Sequence, residues 1–174
     1  MRIAVATILL ATCIPAVPVN GCDAEEIEFS TEWPTCDLPP TQTPDNWQST
    51  ADPNQLVSFW LPPGFEPIDI DRHDLRPHGG AAWAGNGMEV YVHYGQWGWN
   101  SFEVAVGDSA YNTSIGDSQA RFVYIVSSSP REMSAWFPIK GHSALVTIRF
   151  SDESLEPTAY KIVGSMRPGN HGKE

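Results

Sequence analysis

The sequence predicts an α+β fold, a mostly antiparallel β-sheet with a C-terminal helix packed on one face. Three observations carry this. Short runs of alternating apolar and polar residues recur between positions 56 and 150. An Asn86-Gly87 pair lies between two such runs, the strongest short-range signal for a β-hairpin. After residue 156 the apolar spacing switches from two residues to the helical period. With 14 Gly, 15 Pro and 7 Trp in 174 residues, composition also favours short strands and turn-rich loops over long helices.

In chain order, LVSFWLPPGF (56–65) reads as a strand stopped by Pro62-Pro63-Gly64. AAWA (81–84) and MEVYVHYG (88–95) form the hairpin, with Met88, Val90, Val92 and Tyr94 on one face and Glu89, Tyr91 and His93 on the other. FEVAV (102–106) is a further short strand. ARFVYIV (120–126) has apolar residues on both faces, which suits a central strand covered on two sides. EMSAWF (132–137) and SALVTIRF (143–150) form a second hairpin around residues 138–142, and Ala144, Val146, Ile148 and Phe150 make the buried face of its return strand. Pro157 suits a first helical turn. Ala159, Tyr160, Ile162, Val163 and Met166 follow at helical spacing, and Arg167-Pro168-Gly169 ends the helix.

The N-terminus carries an address. Met1-Arg2 precedes an apolar run, residues 3–19, that Pro15 and Pro18 interrupt and that is short for a membrane span. A cleaved export signal over residues 1–21 is the expectation. The run ends in Val19-Asn20-Gly21-Cys22, which resembles the bacterial lipobox in Val19, Gly21 and Cys22 and departs from it at Asn20. The resemblance implies lipidation of Cys22, with acyl chains such as palmitate holding the chain to a bacterial cell membrane. The competing expectation is a secreted or periplasmic soluble protein, cut earlier, for example after Ala16. Cys22 and Cys36 would then be free to pair in an oxidising compartment. Residues 22–55 hold five prolines and many acids and are expected to be a tether, 56–168 a folded domain and 169–174 a polar tail.

The Pro-Gly-aromatic turn from Leu61 to Phe65, the central hairpin, and a polar turn leading into a helix that ends Ile162-Val163-Gly164-Ser165-Met166 together resemble the PsbP-like superfamily. Small bacterial lipoproteins of the DcrB and LpqN kinds belong to the same comparison. The resemblance covers residues 56–168. It implies a mostly non-enzymatic accessory role and carries no functional residues with it. Gly164 stands where the resemblance implies a larger side chain.

A net charge of -11 repels phosphate backbones, so a nucleic-acid partner is not expected. The expected partners are a membrane reached through Cys22 and an envelope protein or a glycan. No cofactor, catalytic residue or metal ligand set is assigned. His73 and His78, with Asp69, Asp71 and Asp74, are the nearest approach to a metal-dependent enzyme, but they match no zinc or calcium spacing. His93 beside Glu89 and Tyr91 reads as a polar sheet face. Asn112-Thr113-Ser114 fits a glycosylation triplet, which is common by chance. The aromatics offer one binding expectation, with Trp83, Tyr94, Trp97 and Trp99 forming a glycine-spaced platform for a sugar or a partner chain. That platform underlies the alternative of a carbohydrate- or cell-wall-binding module.

Overall fold

Asn86 and Gly87 take φ of 53° and 77°, the left-handed pair that a tight hairpin needs. They join Gly80–Gly85 (β4) to Met88–Gly95 (β5), in the register Trp83↔Val90. The computed structural model describes residues 33–70, 80–95, 107–139 and 142–169. The expected strand at 102–106 lies outside these residues.

Before this hairpin come Gln48–Ala51 (β1), Val57–Leu61 (β2) and Glu66–Ile68 (β3). After it come Ser109–Ile115 (β6), Ser118–Ile125 (β7), Arg131–Ile139 (β8) and His142–Phe150 (β9). A single 3-10 turn, Glu153–Leu155, leads into the helix Glu156–Ser165 (α1), which is followed by Arg167–Pro168 (β10). Seven strands form an antiparallel sheet in the order β3-β4-β5-β9-β8-β7-β6, and a small sheet has the order β1-β2-β10. The second hairpin is tighter than expected, since its strands continue to Ile139 and resume at His142.

One face of the large sheet makes the core. Val92, Val146, Ala135, Phe122 and Tyr111 follow one another across five strands, beside Val90, Ile148, Met133 and Tyr124. The helix brings Ala159, Ile162, Val163 and Met166 to this cluster, and β2 brings Val57, Phe59 and Leu61. Burying such a stripe is what makes a ten-residue helix stable. The opposite face is mixed. Val123, Ser134 and Thr147 occupy one row on it and are buried, which agrees with the two-sided apolar pattern expected of β7. Ser134 and Thr147 satisfy each other there at 3.0 Å between hydroxyls.

Thr35, Cys36, Trp47 and β1 are packed into the domain, which corrects for them the expectation of a tether over 22–55, while residues 22–32 lie outside the described residues. Trp47 and Cys36 are buried in the core cluster, β1 pairs with β2, and Thr35 bridges Asn112 on β6. The physical reason lies in isolated large apolar groups. A tryptophan side chain gains too much from burial to remain in a solvated linker beside an available core. Gly164 belongs to the same arrangement. A Cβ there would collide with the Thr41 hydroxyl, so the glycine lets the N-terminal segment lie directly on the helix.

The turn from β1 to β2 is built on Asp52, which is 1% exposed. Its carboxylate accepts from the backbone N–H of Asn54 and of Val57, each at 2.6 Å. Replacing it with alanine removes the acceptor of the buried Val57 N–H and of the part-buried Asn54 N–H. Asp52→Ala is expected to cost about 2–3 kcal/mol, at about 1–3 kcal/mol for a buried group left unpaired. Denaturant unfolding checks this, and a loss below about 0.5 kcal/mol would contradict the assignment.

Candidate functional site

The strand register corrects two members of the expected aromatic platform, Trp83 and Tyr94. Trp83 lies opposite Val90 and Tyr94 opposite Ala144, on the core face of their strands. They are 7% and 4% exposed. Trp83 packs edge-on against Phe59 with ring centroids 5.2 Å apart. Burial and the Asp52 carboxylate both hold the Tyr94 phenol protonated far above its ordinary range. Neither ring is presented to a ligand. Trp97, Trp99, Cys22, His73 and His78 lie outside the described residues.

His93 falls on the polar face, as the alternation implies. It stacks on Tyr91 at 6.0 Å between centroids and 17° between planes. Glu89 is committed to Tyr91, whose hydroxyl donates to its carboxylate at 2.7 Å. Arg149 lies over the Tyr91 ring at 5.1 Å and donates to Glu132 at 3.2 Å. Register brings Glu132, Arg149 and Glu89 side by side across β8, β9 and β5. Alternating charge sign along this row suits a solvated sheet face. Among the described residues, no group of three or more His, Cys, Asp or Glu could hold a metal ion.

Among the described residues, two concavities stand out, and the sequence reading missed both. The larger, about 720 Å³, opens between the arch Pro39–Asp45 and the first two turns of α1, where Glu156, Pro157, Tyr160 and Lys161 line it. Thr41 rests on the helix at Gly164 and marks where the arch closes down on it. Beside this groove an ion-pair network ties sheet to helix. Tyr124 donates to Glu156 at 2.7 Å, and Arg131 reaches Glu153 at 3.0 Å and Glu156 at 3.6 Å. Burial, then the Glu156 contact, pushes the Tyr124 phenol up to about 12, with Arg131 opposing. Tyr160 is raised further, first by burial and then by Tyr111, Glu156 and Tyr124. These phenols stay protonated near neutrality, so they can donate hydrogen bonds but cannot act as bases there. The groove is built of prolines, a ring, hydroxyls and charges of both signs.

The smaller concavity, about 450 Å³, follows the β6–β7 hairpin and is lined by Thr35, Asn112, Thr113, Ser114, Gln119, Ala120 and Arg121. Here the N-terminal segment enters the domain. Asn112 gives its backbone N–H to Pro34 O at 2.7 Å, takes Cys36 N–H at 2.9 Å, and donates its side-chain amide to Trp33 O at 2.8 Å. The Trp33 ring covers the Arg121 guanidinium at 4.8 Å. The amide of the glycosylation-like triplet is thus a structural clamp. Cys36, within this clamp, is disulfide-bonded and 9% exposed.

No protein-family model matches the chain, and no curated protein is similar to it. Among solved structures, the chain is similar to the solution structure of cyanobacterial PsbP (CyanoP) from Synechocystis sp. PCC 6803. The TM-score is 0.52 at 9% sequence identity, over 73% of this chain and 95% of that one. Together with the antiparallel sheet and the single C-terminal helix, this likeness establishes that the chain has a PsbP-like fold.

Proposed function

We propose that this chain is an exported bacterial envelope lipoprotein, anchored through Cys22, whose PsbP-like domain is a non-catalytic binding or accessory module. On this reading it belongs with the DcrB- and LpqN-type lipoproteins that its Leu61–Phe65 turn, central hairpin and final helix resemble. The carrying observation is the Val19-Asn20-Gly21-Cys22 end of the apolar leader, which stands a short distance ahead of Trp33 and the clamp on β6. The accessory role is supported by the likeness to PsbP and by the use made of the interior polar groups. Asp52 and Asp108 hold turns through backbone N–H groups, and Ser165 ties the helix to β2 through Trp60 N–H.

One observation favours a second reading, that of a soluble exported protein. Cys36 is disulfide-bonded, and the chain's other cysteines are Cys13, within the leader, and Cys22. A lipid thioether on Cys22 and a Cys22–Cys36 bond exclude each other. Mass spectrometry of the mature N-terminal peptide from the native host separates the two. The expected result is a chain beginning at Cys22 with a diacylglyceryl addition. An unmodified start upstream of Cys22, with Cys22 bonded to Cys36, overturns the anchor in favour of the soluble reading.

A further inference from the structure

The small sheet turns one tryptophan to solvent. Alternation along β2 buries Val57, Phe59 and Leu61 and leaves Ser58 and Trp60 on the outer face. Register sets Ser49 of β1 beside Trp60, and Ala51 of β1 and Arg167 of β10 on either side of Ser58. Trp60 is the most exposed large apolar side chain among the described residues, at 40%. Its neighbours on β1 and β2 are small and do not cover it. The strand beneath is fixed, since Phe59 and Leu61 are buried and the Trp60 N–H donates to Ser165 Oγ at 3.0 Å.

Arg167 adds a held charge to the same sheet. Its Nη1 donates to the carbonyls of Gly164 and Met166, at 3.0 and 2.6 Å. Its stem lies against Gly116, where a Cβ would come within 2.9 Å of Cδ. Among the described residues no carboxylate pairs with Arg167, whereas Arg131 and Arg149 are bound to glutamates. Nε and Nη2 therefore remain for an outside acceptor. The side chain that carries them is already ordered, so a ligand does not bear that entropy cost. The three strands contain no Asp or Glu. On a chain of net charge -11, such a face favours an anion.

Size decides between a small ligand and a folded partner. Three strands, the longest of five residues, make a face of about 10 Å by about 17 Å, at ~4.8 Å between strands and ~3.4 Å per residue. That is on the order of 170 Å², against about 800 Å² per partner in a stable protein interface. Diagonal neighbours on a sheet, as Arg167 and Trp60 are, stand about 7–8 Å apart. One sugar ring and its carboxylate span such a distance. The apolar C–H face of a pyranose packs on an indole, and a guanidinium takes a carboxylate through two parallel N–H groups.

We propose that Trp60 and Arg167, with Ser49 and Ser58, bind a glycan of carboxylate-bearing sugars. The ring lies on the indole and the carboxylate accepts from Nε and Nη2. This names a ligand class for the binding-module reading and rests on it, but it is independent of the anchor at Cys22.

Calorimetric titration of the full mature chain tests this with trigalacturonate, with cellotriose as a neutral counterpart and hexaglutamate as an acidic peptide. Trigalacturonate is expected to bind, and to bind more weakly as salt is raised. Trp60→Ala should lower its affinity at least about tenfold, and Trp60→Tyr should restore part of the loss. Arg167→Gln should lower it about tenfold while leaving the weaker cellotriose binding unchanged. Far-ultraviolet circular dichroism verifies that each variant is folded. Trigalacturonate binding that Trp60→Ala and Arg167→Gln both leave unchanged overturns this site and leaves the binding-module reading standing. Tighter binding of hexaglutamate overturns the glycan in favour of a peptide, and binding of none of the three overturns the site. Cleavage of trigalacturonate during the titration overturns the non-catalytic reading and not the site.

Discussion

Phe59→Ala is expected to destabilise the domain by about 4 kcal/mol, the scale for emptying a fully buried phenylalanine site. Phe59 is 1% exposed on β2 and sits where three layers meet. It belongs to the small sheet, it meets Trp83 of the large sheet edge to face, and it shares the core cluster with Ile162 and Met166 of the helix. Three separate elements border the cavity it would leave, so no single side chain can collapse into it. The neighbouring Trp60 supplies the control. Trp60 is 40% exposed, and Trp60→Ala is expected to change stability by no more than about 1 kcal/mol although more atoms are removed. Urea unfolding of both variants with an unchanged denaturant slope checks the pair. A Phe59→Ala loss below about 1.5 kcal/mol would mean that the small sheet does not pack on the large one as described.

The contrast between Phe59 and Trp60 was legible in the sequence, because alternation along VSFWL separates the two faces. The same held wherever one local signal decided one local structure. Asn86-Gly87 specified its hairpin, and Pro157 with the Ala159–Met166 spacing specified the helix. Reading failed where a residue's setting depends on distant chain. β6 has the sequence SAYNTSI, rich in turn-formers, and was passed over. Its Tyr111, Thr113 and Ile115 do alternate inward, and that period of two was the available signal. β1 is polar and mostly exposed because it covers nothing and pairs with one neighbour only. Trp83 and Tyr94 were grouped with the glycine-spaced Trp97 and Trp99 as a surface platform, whereas pairing with β5 and β9 turns both inward. Gly164 looked anomalous by resemblance alone. The Thr41 contact accounts for it, and no pattern within the helix could have revealed a partner more than 120 residues earlier. The groove shares that origin, since one wall comes from the segment first read as tether.

Alkaline pH is expected to unfold this protein in a single step coupled to its tyrosines. All five phenols, Tyr91, Tyr94, Tyr111, Tyr124 and Tyr160, are raised above the ordinary value, and for each the first cause is burial. Tyr111 and Tyr124 reach about 12. In the unfolded chain the same groups lose their protons near pH 10. Below that pH both states hold the protons, and the stability linked to these groups is fully present. Above it the unfolded state binds fewer protons than the folded one, so stability falls as pH climbs from about 10 through about 12. Several phenols act together over that window, because Tyr111, Tyr124 and Tyr160 share one aromatic cluster with Phe122. Ionising any of them places a charge where burial already penalises it, and opening the cluster exposes the others. Phenolate absorbance and far-ultraviolet circular dichroism should therefore change together, in one cooperative transition well above pH 10. Phenolate appearing at the free-tyrosine pH in a protein that keeps its native dichroism would show that water reaches the cluster, and that the helix does not seal this face of the sheet.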